Sequence, residues 1–164
     1  MFKDRLDAAR QLTKALKKYQ GQNPLVLAIP RGAVPMGAWM AQALHGQMDV
    51  VLVRKLRALS QPEVAIGAVD ETGLTYLSPY AATLGIDPQY VKDEIKLQMK
   101  KLKARRQQYS QIRAPIPVQG RVVIVVDDGL ATGATMMSAL KAVRQHHPQH
   151  LVCAIPVASP DALA

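Results

Sequence analysis

The chain has a single cysteine, Cys153, and no stretch apolar enough to cross a membrane. One cysteine cannot form a disulfide within the chain, and the surrounding run LVCAIPV predicts a buried strand thiol that acts as a small hydrophobe. The first residues, MFKDRLDAAR, lack the apolar core of a signal peptide, and their acids are not typical of a transit peptide. These absences favour a reducing compartment, and we expect a cytoplasmic protein.

Aromatic residues are also scarce, at 4%, and no RNP-type aromatic motif, zinc-finger spacing or basic-zipper heptad occurs. Lys and Arg nevertheless outnumber Asp and Glu by 21 to 12, which gives a formal net charge of +9. Much of this charge lies at 14–18 and 92–113, on predicted helices, where solvated faces are the usual explanation. A nucleic-acid partner is therefore the less favoured alternative, and the charge also suits a site for a polyanionic small molecule.

The length and the apolar pattern predict one α/β domain over residues 1–164. A chain of 164 residues with 49% apolar and 20% charged residues can bury a good core. Short apolar strands without polar alternation, separated by helices, are typical of a mostly parallel sheet flanked by helices. The predicted strands are 25–29, 49–55, 64–69, 122–126 and 151–157, and the predicted helices are 3–19, 35–45, 87–109 and 134–146.

Three unusual loops follow these strands, at 30–33, 54–63 and 127–135. In parallel α/β sheets, ligands bind beyond the carboxyl ends of the strands. We therefore expect the chemistry of this protein in these loops.

The stretch VVIVVDDGLATGAT places Asp127 and Asp128 side by side at the end of a strand. Adjacent carboxylates repel, and we expect this repulsion to be relieved only by a ligand. The small-residue loop after them can turn backbone N–H groups toward an anion at a helix start, with Gly129 and Gly133 permitting close approach. No Gly-Lys-Ser/Thr follows, so this is not a Walker A loop. Hydroxyl-binding acids beside an anion site suit a sugar phosphate.

The segment VIVVDDGLATGAT (123–135) resembles the phosphoribosyl-diphosphate motif of the type I phosphoribosyltransferases. The wider resemblance runs from about residue 24 to 157 and is closest to a group of bacterial predicted phosphoribosyltransferases. It implies a Rossmann-like core at about 24–73 and 119–157, with a variable hood or insertion at 74–118. Tyr76 and Tyr80 are candidates for stacking on an acceptor base in this hood, or are simply core residues.

The resemblance also implies roles for the residues of the motif. Asp127 and Asp128 would hold the ribose hydroxyls, directly or through water bound to Mg²⁺, and they are the predicted catalytic acids and the predicted metal site. The loop after them would cradle the 5′-phosphate. The predicted substrate-binding residues of this loop are Gly129, Leu130, Ala131, Thr132, Gly133, Ala134 and Thr135.

The segment IPRGAVP (29–35) lies where the family has its pyrophosphate loop. Arg31 would contact pyrophosphate, and Gly32 would let the backbone approach it closely. The resemblance further implies a cis peptide bond between residues 29 and 32. The alternative is a turn rich in Gly and Pro with a solvated Arg.

The segment RKLRALSQPE (54–63) resembles the flexible catalytic loop of the family. Arg54, the predicted catalytic Lys55, and Arg57 would neutralise the departing pyrophosphate, and closure would exclude water. We expect residues 56–62 to be mobile without ligand. An ordinary surface loop is the alternative.

The implied enzyme is a glycosyltransferase that uses Mg²⁺ to transfer 5-phosphoribosyl from phosphoribosyl diphosphate to a small nitrogen acceptor. Relatives that act on 6-oxopurines usually carry a third acid where Ala131 stands, so the adenine and orotate branches are the better match. A homodimer is compatible with the resemblance. A regulatory protein that binds phosphoribosyl diphosphate without turnover, and a nucleic-acid-binding protein, are the alternatives.

Two further features of the C-terminal part need an interpretation. His146, His147 and His150 do not have a zinc-site spacing, and we interpret them as a solvated helix end. The residues Ser159-Pro160-Asp161 predict a helix start close to the last residue, whereas the relatives are expected to continue further.

Overall fold

The computed structural model describes residues 1–109 and 114–163. Helices and strands alternate at both ends of the chain, whereas four consecutive strands and then two helices lie between them. The helices are α1 (Arg5–Ala15), α2 (Val34–Ala43), α3 (Pro79–Thr83), α4 (Pro88–Tyr109), α5 (Ala134–Arg144) and α6 (Pro160–Leu163), with a short 3-10 helix at Lys17–Tyr19. The strands are β1 (Leu25–Ala28), β2 (Gln47–Val50), β3 (Val53–Arg57), β4 (Ala65–Asp70), β5 (Thr75–Leu77), β6 (Val122–Val126) and β7 (His150–Ala154).

The chain forms two compact units. The first contains Met1–Val51 and Pro115–Ala164, and the second contains Leu52–Ala114. The predicted assignment of residues 1–164 to one domain, with a core and a hood, stays a prediction. Arg113, at the end of the predicted basic run, lies outside the described residues.

The first unit is built on a parallel sheet with the strand order β2-β1-β6-β7. Ala28 at the end of β1 is in register with Val50 of β2 and Val126 of β6. All five residues of β6 are buried, as the uninterrupted apolar run VVIVV predicts. The predicted mostly parallel α/β sheet is therefore confirmed, and its strands end together at one edge.

Helices α1 and α2 cover one face of this sheet. Val26 and Ala28 of β1 and Ile124 and Val126 of β6 belong to the same buried cluster as the inner residues of these helices. Trp39 is partly buried and packs against this cluster. The remaining buried members are Ala8, Ala9, Ala33, Met36, Met40, Ala41, Leu44 and Ala154.

The start of α1 is fixed by a side-chain cap. Asp4 has extended backbone angles, and its carboxylate accepts a 2.7 Å hydrogen bond from the amide N–H of Asp7. This bond satisfies one of the donors that a helix leaves unpaired at its N-terminus. Because Ala8 and Ala9 in the next turn are buried, this end of the helix is anchored to the core.

The second unit contains an antiparallel sheet with the order β3-β4-β5. The prediction of one continuous strand at 49–55 was wrong, because the chain leaves the parallel ladder after Val51, whose N–H donates to the carbonyl of Ala28 at 3.0 Å. Strand β3 then pairs with β4, and Leu56 is fully buried there. Apolar runs predict burial but do not identify the neighbouring strand, so the sequence did not show this change of sheet.

Helix α4 packs on β3 and β4 of the second unit. Its residue Arg106 is buried, and its Nε donates to Glu71 at 2.7 Å. The basic run on this helix is therefore only in part a solvated face. No helix in the described part of the chain is both long and apolar enough to cross a membrane.

The prediction that Cys153 is buried was wrong, because its side chain is exposed. Strand β7 lies at the edge of the sheet and pairs only with β6 among the described strands. Side chains alternate between the faces of a strand, so Cys153 points away from the face on which Val152 and Ala154 meet the core cluster.

Candidate functional site

The loops that follow β1 and β6 begin side by side. These two strands are neighbours in the parallel sheet, and the N–H of Ile29 donates to the carbonyl of Val126 at 3.0 Å. The segment with Arg31 and Gly32 therefore emerges beside the segment with Asp127 and Asp128. The sheet topology brings together two groups of predicted site residues that are far apart in sequence.

Asp127 and Asp128 are both half-buried at this edge. The N–H of Asp128 donates to Oδ1 of Asp127 at 2.8 Å. Burial raises the pKa of Asp127 above its ordinary value, and the negative charge of Asp128 adds to the rise, although the bond from the Asp128 amide opposes it. The negative charge of Asp127 is poorly compensated, so it would favour the binding of a cation or a hydroxyl donor at this position.

Asp128 has a cationic partner that the sequence did not reveal. Nε and Nη2 of Arg5, at the start of α1, both donate to Oδ2 of Asp128, at 2.9 Å and 2.8 Å. The expectation that only a ligand relieves the repulsion between the two acids is therefore wrong. The sequence carries little signal for this ion pair, because one Arg in the polar face of an amphipathic helix cannot be distinguished from a solvated residue.

Gly32 lies directly against Asp128. A Cβ at position 32 would come within 2.2 Å of Oδ2 of Asp128, which is far inside van der Waals contact, and within 3.4 Å of Nη2 of Arg5. The absence of a side chain at this position therefore makes room for the carboxylate and for its cation. The peptide bond between Pro30 and Arg31 is cis, which confirms the expected cis bond in this segment. Arg31 itself is exposed.

The small-residue loop leads into α5. Gly133 precedes this helix with φ at +80°, a left-handed conformation that a side chain would strain, so the glycine is required by the turn. Thr132 accepts a 3.3 Å hydrogen bond from the N–H of Ala134 through its hydroxyl. The N–H groups of the next residues, Thr135 and Met136, have no acceptor within the helix, as at every helix start. They can contribute to an anion site of the kind that the resemblance implies.

The same loop is held by a segment that comes after β7. The N–H of Leu130 donates to the carbonyl of Val157 at 2.9 Å, and the N–H of Ser159 donates to the carbonyl of Leu130 at 2.9 Å. The hydroxyl of Ser159 also donates to the carbonyl of Ala131 at 2.6 Å. Gly129 lies just before this braced part, where a Cβ would meet only the Val157 carbonyl at 3.9 Å.

The remaining predicted site residues belong to the second unit. Arg54, Lys55 and Arg57 lie on strand β3, so the prediction of a loop beginning at residue 54 was wrong. Nε of Arg54 donates to Oε1 of Gln98 at 3.0 Å, and Nη1 of Arg57 donates to the carbonyl of Pro62 at 3.2 Å. The loop itself is shorter, between Arg57 and the start of β4 at Ala65.

The two tyrosines proposed for the acceptor site also lie in the second unit. Tyr76 is half-buried on β5, whereas Tyr80, in α3, is 53% exposed. Exposure leaves the ring of Tyr80 accessible to a partner, while Tyr76 is the more core-like of the two. The acceptor assignment stays a prediction for both.

The donor set at the edge of the first unit can be compared with the needs of Mg²⁺. In the described part of the chain, no group of three or more His, Cys, Asp or Glu side chains could hold a metal ion. Mg²⁺ commonly binds through one or two carboxylates, with waters and substrate oxygens completing six ligands. Asp127 and Asp128 therefore fit an ion that arrives with a phosphorylated substrate, but not a resident all-protein site.

Comparison with known proteins gives consistent matches over the whole chain. The family model described as "phosphoribosyl transferase domain" matches residues 2–163. Two relatives from Mycobacterium tuberculosis, which are provisionally named phosphoribosyl transferases, are 36% identical over 165 residues. The alignment covers 100% of this chain but 37% of each relative, so this chain spans well under half the length of these proteins.

Solved structures show the same fold. The protein TT1426 from Thermus thermophilus is 43% identical, with a TM-score of 0.89 over 99% of this chain and 77% of that one. A purine phosphoribosyltransferase from Pyrococcus horikoshii has a TM-score of 0.56 at 13% identity, covering 98% of this chain and 76% of that one. At this low identity, the second match shows the fold alone.

Proposed function

This chain belongs to the phosphoribosyl transferase domain family, and from this premise we propose that it transfers 5-phosphoribosyl from phosphoribosyl diphosphate to a nitrogen acceptor. The observation that carries the proposal is the contact between the two loops. Gly32 of the predicted pyrophosphate loop lies against Asp128 of the predicted ribose site, so one ligand can reach both. The fold and the family support the general activity, and the residue roles below are part of the proposal.

Asp127 and Asp128 bind the two ribose hydroxyls in this mechanism. The raised pKa of Asp127 indicates that its charge is poorly compensated in the free protein. A hydroxyl donor supplies a charge-assisted hydrogen bond at that position, which contributes about 1.5–3 kcal/mol. The hydrogen bond from a ribose hydroxyl to Asp127 therefore compensates a charge that the free protein leaves poorly compensated.

The 5′-phosphate binds at the start of α5. The N–H groups of the first turn and the hydroxyls of Thr132 and Thr135 are the donors for this anion. Gly133 adopts the left-handed conformation that the turn into α5 requires. The hydroxyl of Ser159 stabilises the loop by donating a hydrogen bond to the carbonyl of Ala131. Arg31, on the neighbouring loop, is exposed and free to meet the pyrophosphate group.

Asp127 and Asp128 would hold Mg²⁺, directly or through water, and the bound ion would neutralise charge on the departing pyrophosphate. The residues of this chain then contribute position and electrostatic stabilisation rather than a covalent intermediate. As the bond between C1 and the pyrophosphate oxygen breaks, the ribose ring becomes cationic until the acceptor nitrogen bonds to C1 and gives up its proton to water. In this proposal, the carboxylates of Asp127 and Asp128 stabilise the transient positive charge. The neutralisation of the leaving group by Lys55, Arg54 and Arg57, which lie on β3 of the second unit, stays a prediction of the resemblance.

The acceptor is proposed to differ from a 6-oxopurine. Ala131 stands where the relatives acting on such bases usually carry an acid, and Ala131 uses its carbonyl to accept from Ser159. Solved structures of a purine and of hypoxanthine-guanine phosphoribosyltransferases share the fold at 12–13% identity, which carries no information on the base. Adenine and orotate are the first acceptors to test.

The test is calorimetric titration with phosphoribosyl diphosphate and Mg²⁺, followed by assays of pyrophosphate release with adenine, orotate, hypoxanthine and guanine. Binding together with release for one base supports the proposal. Binding without release for any base would instead identify a regulatory protein that senses phosphoribosyl diphosphate. The absence of binding would overturn the proposed function.

A further inference from the structure

The ion pair between Arg5 and Asp128 joins the first helix of the chain to the acid pair after β6. These residues are 123 positions apart in sequence. Two of the three guanidinium nitrogens of Arg5, Nε and Nη2, contact the same oxygen, Oδ2, so the guanidinium restricts the orientation of the carboxylate. Because Asp4 caps α1 and Ala8 is buried, Arg5 projects from a fixed helix end.

This arrangement is closely packed on the side of the neighbouring loop. The position that a Cβ on Gly32 would occupy is 2.2 Å from Oδ2 of Asp128 and 3.4 Å from Nη2 of Arg5. The carboxylate is therefore confined between the backbone of Gly32 and the guanidinium of Arg5. A small rotation of the Asp128 side chain would lose one of these contacts.

Stability does not account for the pair. The side chain of Arg5 is 64% exposed and that of Asp128 is 30% exposed, and ion pairs this accessible to water contribute little to folding. The ion pair can instead affect ligand binding by orienting the carboxylate, because a binding group that must first be ordered binds its ligand less tightly.

We propose that Arg5 is a positioning residue for Asp128, and this inference rests on the proposed function. Arg5 fixes the Asp128 carboxylate for the ribose hydroxyls by holding Oδ2, and it does not itself contact the sugar phosphate. Its loss leaves Asp128 present but free to rotate toward other partners. Arg5 was not among the residues that the sequence motif identifies.

The test is a double-mutant cycle between Arg5→Gln and Asp128→Asn, measured by calorimetry. The ligands are phosphoribosyl diphosphate with Mg²⁺ and, separately, ribose 5-phosphate without metal. Arg5→Gln should weaken binding of both ligands about tenfold, on the scale of one charge-assisted hydrogen bond. In the Asp128→Asn background, the same change should weaken binding less than about twofold, because the residue through which Arg5 acts has lost its charge.

Two further variants separate positioning from a general effect of charge. Arg5→Lys keeps the charge but not the two-nitrogen contact, so it should restore only part of the affinity. Arg10→Gln removes another exposed charge from the same helix and should bind as the wild type does. Urea denaturation should show all of these proteins folded, with similar midpoints.

Three outcomes would overturn the inference. Equal losses from Arg5→Gln with and without the Asp128 charge would mean that Arg5 contacts the ligand directly. Normal binding by Arg5→Gln would mean that the ion pair has no role in the site. A wild-type protein that binds neither ligand would overturn the proposed function, and this inference with it.

Discussion

The carboxylate of Asp128 occupies the space that a side chain on Gly32 would need, with Oδ2 only 2.2 Å from the position of such a Cβ. This contact connects the loop after β1 with the loop after β6. It also explains why the residue after Arg31 has no side chain, in terms of space and not of backbone angles.

Replacing Gly32 with Ala should therefore displace the Asp128 carboxylate. The displaced atom is the end of a side chain, so the fold should survive with a loss of about 1–3 kcal/mol, the usual scale for overpacking. Affinity for phosphoribosyl diphosphate should fall, because the displaced carboxylate can no longer hold the ribose. Thermal melting and calorimetric titration measure the two effects.

The Asp128→Ala background provides the control for this prediction. There the added methyl group has room, so Gly32→Ala should cost much less stability than it does in the wild type. An equal cost in both backgrounds would show that something other than the carboxylate limits position 32.

Asp127→Asn should stabilise the free protein, and increasingly so as the pH rises. The folded protein holds the pKa of Asp127 above its ordinary value near 3.8, mainly through burial. The contribution of this group to stability is complete below that value and is lost as the pH rises through the raised pKa. Asn carries no charge, so the stability of the variant lacks this dependence on pH. The difference in unfolding free energy between the two proteins should therefore grow as the pH rises above about 4.

The size of this gain should stay below about 1 kcal/mol, because water reaches part of the Asp127 side chain and screens it. Urea denaturation at several pH values measures it. Ligand affinity of the same variant should fall by at least ~2 kcal/mol if Asp127 binds the ribose. A stability difference that shrinks as the pH rises, or a variant that binds normally, would contradict the assigned role.

Cys153 should react slowly with alkylating reagents at neutral pH although its side chain is exposed. Partial desolvation of the thiol by the surrounding protein raises the pKa of Cys153. The negative charge of Asp127 raises this pKa further. Asp127→Asn should lower that pKa and enlarge the thiolate fraction, which speeds alkylation a few-fold at about pH 7.

The rate of iodoacetamide labelling as a function of pH measures this effect. Cys153→Ser provides the background, since the chain has no other cysteine. An unchanged pH profile in Asp127→Asn would show that the carboxylate does not influence the thiol. A shifted pH profile would instead show that the Cys153 thiol lies close to the Asp127 carboxylate in the absence of any ligand.

Hydrogen exchange should divide the predicted lid into two parts. Leu56 and Ala58 are buried, and the N–H of Ala58 donates to the carbonyl of Val64 at 3.1 Å, so these positions should be protected in the free protein. Residues 59–63 are exposed and should exchange rapidly. Addition of phosphoribosyl diphosphate with Mg²⁺ should slow exchange only at 59–63. Unchanged exchange there at saturating ligand would remove the lid from the mechanism.

The sequence by itself determined the parallel sheet and the place of its loops. The β-branched run VVIVV indicated a strand covered on both faces, and the small residues after Asp128 indicated a turn into a helix, which begins at Ala134. These features depend on local composition and periodicity, which a single sequence carries. The family resemblance identified the acids in the segment 123–135 and Gly32 in the segment 29–35, and the structure places them at one edge of the sheet.

The tertiary structure alone decided which residues surround those acids. Arg5 reaches Asp128 across 123 positions, Cys153 is exposed because its strand lies at an edge, and the run that begins at 49 divides between two sheets. Apolar periodicity reports how deeply a residue is buried and in what local conformation, but not which distant strand or side chain becomes its neighbour. Those neighbours depend on the order of strands and on the position of α1 against the sheet, which are set by packing of the whole unit.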